Sequence, residues 1–146
     1  MVDLVKEVQL LKYQNKLLQT MVNGDEFLFF MFALNHDLNE TQVNSILKVL
    51  NVFSYRLKKE IDEKFEVFSV QSEKDKDMFK DLGINNDTLY KNVLPNVKEF
   101  ESYVRILCSQ NFEIQYLLMS LKKQGIHIEI CTYLLDQLNK IKKGQF

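Results

Sequence analysis

Residues 27–34 read Phe-Leu-Phe-Phe-Met-Phe-Ala-Leu, and this stretch does most to decide the fold. The 146-residue chain has only four glycines and one proline to break helices, and its apolar residues recur mostly at the helical period. We therefore predict an all-α protein in which residues 26–35 form a helix that is apolar on every face. Such a helix has to be buried all round, either at the centre of a bundle or between subunits.

The composition predicts one globular domain over residues 1–146. Its residues are 46% hydrophobic and 27% charged, enough for a core that needs neither disulfides nor a structural metal. The eight-residue apolar run is far shorter than the roughly 20 residues that cross a bilayer, so we expect no membrane segment. The chain start lacks a signal-peptide pattern and the two cysteines are not spaced as a disulfide scaffold, so the expected location is the cytoplasm.

The residues before the apolar run predict a long amphipathic helix over residues 2–22. Its apolar positions step alternately by four and three residues, which is a heptad seam, and a polar asparagine falls on it. The seam consists of Leu4, Val8, Leu11, Asn15, Leu18 and Val22. A single asparagine at such a position fixes register and oligomer state. This helix is therefore interpreted either as a self-association helix or as an amphipathic helix packed on the core of its own subunit.

The residues after the apolar run carry the strongest local signal in the chain. Asn39 and Gln42 form a capping-box pattern, with Leu38 and Val43 placed as a hydrophobic staple. A third helix is therefore predicted to begin near residue 40 and to run to about residue 64.

The pattern from residue 65 to 97 is less regular and predicts a connecting segment with short helical pieces. Ser72 is placed to cap one piece, and Asp87 is placed to cap another over residues 88–94, which Pro95 ends. Irregular connections carry binding sites more often than bundle cores do. We therefore expect this segment to offer surface to a partner protein.

Three further helices are predicted in the last third of the chain. Asn96 is placed to open a helix over residues 97–109, a second covers residues 112–123 before Gly125, and a third covers residues 127–142. Three isoleucines at the start of the last helix alternate as they would in a strand. The long helical pattern that follows them favours a helix.

Parts of this pattern resemble the YhaI-like family of small, uncharacterised Bacillus proteins. The resemblance rests on the leading helix, the run 27–34, the helix start at residues 37–42 and the stretch 112–125 with the terminal helix after it. It covers about residues 4–60 and 98–140, and it implies a multihelical fold that associates with itself, with no known activity or cofactor. The chain departs from the family pattern in its longer 65–97 segment and in Asn35-His36, where the family tends to have glycine.

The residues that could carry chemistry form no recognised motif. The sequence contains no phosphate-binding loop, no dinucleotide fingerprint, no nucleophile elbow and no HExxH pattern. His127 and Cys131 would share one helix face, and Cys108 or His36 could complete a zinc site, but buried thiols explain both cysteines. We therefore predict no catalytic, cofactor-binding or metal-binding residues.

The charge balance argues against nucleic acid as the main ligand. Nineteen basic residues stand against twenty acidic ones, and Arg56 and Arg105 are the two arginines available for base recognition. The abundance of Lys, Asn, Ile and Phe is typical of an AT-rich coding sequence, as in a low-GC bacterium or its phage.

These observations together predict a multihelical bundle that forms an intertwined homo-oligomer and acts as a non-enzymatic protein-interaction module. The predicted interface residues are Leu4, Val8, Leu11, Asn15, Leu18, Phe27 and Phe30. Regulation or inhibition of a heterologous protein partner, in a phage or host accessory role, is the specific form expected.

Two alternatives from other functional classes stay open. A weak nucleic-acid-binding regulator would use a local lysine patch. A small enzyme would need both histidines and at least two nearby carboxylates to line one cavity. The carboxylates in question are Asp37, Glu40, Glu113 and Glu129.

Overall fold

The computed structural model describes residues 3–22, 26–61, 73–91 and 93–142, and its regular structure in these ranges is helical. The helices are α1 (Leu4–Met21), α2 (Leu28–Asn35), α3 (Glu40–Ile61), α4 (Glu73–Asp81), α5 (Asn86–Leu89), α6 (Val97–Leu107), α7 (Ile114–Gln124) and α8 (Ile128–Lys142). The all-α prediction is confirmed. The alternating isoleucines do not form a strand, since α8 begins at Ile128.

One continuous core is built by α2 to α8. Helix α7 packs against α8 and α2, and α3 packs against α6 and α8. The largest fully buried apolar side chains come from nearly every one of these helices: Phe29, Phe53, Phe79, Leu89, Phe100, Leu117 and Leu121. Helix α1 contributes no buried side chain. Among the described residues, the buried core is therefore built without the first helix.

The capping box predicted at the start of α3 is confirmed. The Asn39 N–H donates to Gln42 Oε1 and the Gln42 N–H donates to Asn39 Oδ1, both at 2.9 Å. The two staple residues, Leu38 and Val43, are partly buried against the core. This junction therefore satisfies two backbone donors and fixes the angle at which α3 enters the bundle.

The ends of α6 and α7 also follow the sequence signals. Asn96 caps α6, with its Oδ1 accepting from the Glu99 N–H at 2.8 Å. Gly125 follows α7 with a φ of 86°, in the left-handed region that glycine adopts without strain.

The connection between α3 and α6 differs from the prediction in its second helix. The cap is Asn85 rather than Asp87, since Asn85 Oδ1 accepts from the Asp87 and Thr88 N–H groups, and the helix ends at Leu89, well before Pro95. The helix therefore starts two residues earlier than predicted, and Leu89 and Tyr90 at its end are buried in the core. The predicted cap at Ser72 and the end of the third helix beyond residue 61 lie outside the described residues.

Two helix starts are capped by glutamines from other helices. Helix α2 follows Phe27, which has no capping side chain, and the Phe29 and Phe30 N–H groups instead donate to Gln124 Oε1 at 2.8 and 3.1 Å. At the start of α6 the Val97 N–H donates to Gln137 Oε1 at 2.8 Å. The first N–H groups of a helix have no acceptor within the helix. By accepting from them, the Gln124 and Gln137 side chains stabilise both the helix starts and the packing between helices.

Gln124→Leu is expected to lower the free energy of unfolding by about 1–3 kcal/mol, because it removes the acceptor of two N–H groups at the start of α2. Urea unfolding at fixed protein concentration measures the change. Lys123→Leu on the same helix is the control, because Lys123 is exposed and a surface change of this kind shifts stability by about 0.5 kcal/mol or less. Equal effects of the two substitutions would contradict the capping role of Gln124.

A buried ion pair joins α3 to α6. Arg56 Nη1 and Nη2 donate to the two Glu99 carboxylate oxygens at 2.7 and 2.9 Å, and the Arg56 side chain is fully buried. Arg56 also donates to the carbonyls of Leu89 and Val93, at 3.3 and 3.0 Å, in the connection that leads to α6. Tyr103 Oη donates to Glu99 Oε2 at 3.1 Å. The Arg56 guanidinium therefore joins α3, the connection that leads to α6, and α6 itself.

Candidate interaction surface

The seam of α1 is exposed along its whole length. Capped by Asp3, whose Oδ1 accepts from the Val5 and Lys6 N–H groups, α1 buries none of its side chains against its own subunit. Leu11, at the middle of the seam, is 58% exposed. We call the set Leu4, Val8, Leu11, Asn15, Leu18 and Val22 the α1 seam. Of the two interpretations of this helix, packing on its own core is therefore not what the structure shows.

Helix α2 has one buried face and one exposed face. Phe29, Phe32 and Ala33 are buried, whereas Phe27, Phe30 and Leu34 are each more than 40% exposed. The Phe27 and Phe30 rings are stacked, with 6.2 Å between their centroids and an angle of 8° between their planes. We call Phe27, Phe30 and Leu34 the α2 outer face.

Of the two alternatives for α2, burial on every side at the centre of a single-chain bundle is therefore not what the structure shows. Helix α2 lies against α7 at the edge of the bundle rather than at its centre. Its apolar composition requires burial, but one neighbouring helix can cover only one of its faces.

The two apolar surfaces contain all seven predicted interface residues, and each of these side chains is exposed. Leu34 and two further leucines of α1, Leu10 and Leu17, are exposed as well and were not among the predicted interface residues. For Leu10 and Leu17, the signal in the sequence was their spacing of seven residues on α1. Monomeric proteins rarely expose apolar area on this scale, and such patches mark protein or membrane contacts.

The histidines lie in different surroundings. His127 and Glu129 line a cavity of about 290 Å³ between α3 and the start of α8, together with Asn51, Ser54 and Lys58. Burial lowers the pKa of His127 below 6.5, which favours its neutral form at pH 7. His36 instead packs on the rings of Phe32 and Phe112, at 4.2 and 5.4 Å. The enzyme alternative requires both histidines in one cavity. This cavity contains His127 but not His36.

Both cysteines are buried and free, as predicted for structural thiols. Burial raises the pKa of Cys131 to about 12 and also raises that of Cys108, so neither thiol forms an appreciable thiolate at neutral pH. Across the described ranges no group of three or more His, Cys, Asp or Glu side chains is arranged to hold a metal ion.

Comparison with protein-family models, with curated proteins and with solved structures finds no match to this chain. In the part of the chain that the structure describes, no helix combines the length and the apolar content needed to span a membrane.

Proposed function

We propose that this protein is a non-enzymatic interaction module that assembles with copies of itself and regulates or inhibits a partner protein. Two facts about the described residues carry the proposal: α2 to α8 build the buried core, and every position of the α1 seam is exposed. The contacts between copies would be made by the α1 seam and by Phe27 and Phe30 of the α2 outer face.

The exposed side chains are sufficient for stable assembly. Burying one large apolar side chain contributes about 1.5–3 kcal/mol. Association costs an estimated 4–15 kcal/mol in lost translational and rotational freedom. Each of two copies brings Leu4, Val8, Leu11 and Leu18 to the contact. The summed contribution of these eight side chains is larger than most estimates of the association cost.

The assembly leaves other surfaces for a partner protein. Helices α4 and α5 lie in the long connection between α3 and α6, and this connection is where we place partner contacts. The resemblance to the YhaI-like family also supports self-association, because the resemblance implies a fold that associates with itself.

The cytoplasm is the proposed location, in line with two free thiols.

Leu11→Glu is expected to dissociate the assembly, because it places a carboxylate in the middle of an apolar contact. Light scattering should give a multiple of 17.3 kDa for the wild-type protein and 17.3 kDa for the variant. Since Leu11 packs on nothing in its own core, the circular dichroism of the variant should stay helical. A wild-type protein of 17.3 kDa at all concentrations would contradict the proposed self-association.

A further inference from the structure

We propose that two copies of this chain pair through α1 as a parallel, in-register, two-stranded coiled coil. This arrangement rests on the self-association proposed above and specifies its partner, orientation and register. The occupant of the α1 seam is therefore a second copy of the same helix.

The types of residue on the seam favour two strands. In heptad positions, Val8, Asn15 and Val22 fall at a, and Leu4, Leu11 and Leu18 fall at d. Valine at a with leucine at d fits the side-chain geometry of a two-stranded parallel coiled coil. All six positions lie in the exposed part of α1 and its C-terminal cap, so no rearrangement of the domain is needed to pair them.

Asn15 selects the parallel, in-register alignment. In that alignment the Asn15 amide meets the amide of the partner's Asn15, and each can hydrogen-bond the other. In an antiparallel pair an a position faces a d position, and every d position of α1 is leucine. A buried asparagine facing leucine would leave its amide without a partner, which is costly.

The charged residues beside the seam are complementary in the same alignment. Glu7 falls at position g and Lys12 at position e of the next heptad, and in parallel pairs g contacts the e position of the partner five residues later. Glu7 would therefore pair with the partner's Lys12 on both sides of the seam. The next g and e positions are Gln14 and Gln19, which are neutral, so no like charges meet.

Leu10 provides a matched control for the seam. It is 55% exposed, close to the 58% of Leu11, and it belongs to the same helix. Leu10 falls at position c, outside the contact of a two-stranded coil. We expect Leu10→Glu to leave the wild-type mass unchanged in light scattering, whereas Leu11→Glu abolishes assembly. Equal loss with both variants would overturn the assigned seam.

A charge exchange tests the pairing of Glu7 with Lys12. Glu7→Lys and Lys12→Glu each replace two attractive pairs with two repulsive ones, and each variant alone should assemble roughly 5–30-fold more weakly. Equimolar mixing restores both pairs, so native mass spectrometry with one variant labelled with ¹⁵N should show mainly mixed dimers. Mixed and unmixed dimers in statistical proportion would overturn the parallel alignment.

Disulfide formation tests orientation independently. Val8→Cys places two thiols opposite each other only in a parallel, in-register pair, and oxidised glutathione should link them. In an antiparallel pair centred on α1 the two Val8 positions would lie about 15 Å apart, beyond the reach of a disulfide. Leu10→Cys is the control and should link far more slowly. The native cysteines stay unreactive because they are buried.

The two proposals fail differently. A wild-type mass of 17.3 kDa would end both. An assembled wild type whose Val8→Cys variant does not link, or whose mass corresponds to three or more copies, would overturn the two-stranded parallel coil and leave self-association standing.

Discussion

Glu99→Ala is expected to lower the free energy of unfolding by about 3–5 kcal/mol. The substitution leaves the Arg56 guanidinium buried among Phe53 and the Leu89 and Val93 carbonyls without its counter-charge. It also removes the acceptor of the Tyr103 hydroxyl. Urea unfolding at fixed protein concentration, followed by circular dichroism, measures the change.

Two variants separate the loss of the ion pair from other effects. Glu101→Ala alters an exposed carboxylate on the same helix and should change stability by about 0.5 kcal/mol or less. The double variant Arg56→Met, Glu99→Leu should recover part of the lost stability, because it leaves no unpaired buried charge. The Leu89 and Val93 carbonyls and the Tyr103 hydroxyl still lose their partners, so the recovery is incomplete. A loss below about 1 kcal/mol for Glu99→Ala would mean that the pair does not hold α3 to α6.

Phe29→Ala is expected to destabilise the protein by about 3–5 kcal/mol, because it removes a fully buried ring from the contact between α2 and the rest of the core. Its neighbour Phe30 is 48% exposed and points away from that core. Phe30→Ala should therefore change the stability of the single chain by about 1 kcal/mol or less, while weakening assembly.

The comparison of the two phenylalanines requires two measurements. Chemical unfolding at low protein concentration reports on the single chain, and light scattering across a concentration series reports on assembly. Similar unfolding midpoints for the two variants would contradict the assignment of an inner and an outer face to α2. A change in mass for neither variant would remove Phe30 from the contact between copies.

Local signals near helix ends were predicted accurately from the sequence. The Asn39–Gln42 capping box, the Asn96 cap and the left-handed Gly125 depend on residues within a few positions of each other, and all three are present. The cap of α5 was misassigned because Asn85 and Asp87 are equally suitable locally. In the structure Asn85 is the cap, and the helix that it opens ends at the buried Leu89.

Long-range partners were not predictable in this way. Gln124 lies 95 residues from Phe29, and Glu99 lies 43 residues from Arg56, so no local pattern links them. An arginine on the apolar side of the third helix was the available sign that a buried counter-charge had to exist. The identity of that counter-charge depends on which helices pack together.

The sequence by itself determined the helical class, most helix ends and the heptad seam of α1, because these follow from backbone hydrogen bonding and side-chain spacing within one helix. Only the tertiary structure decided which apolar surfaces are satisfied. The run 27–34 is apolar all round, yet α7 covers one side and leaves Phe27, Phe30 and Leu34 exposed. Whether an apolar face is core or surface depends on the helices that reach it, and those are set by the packing of the whole chain.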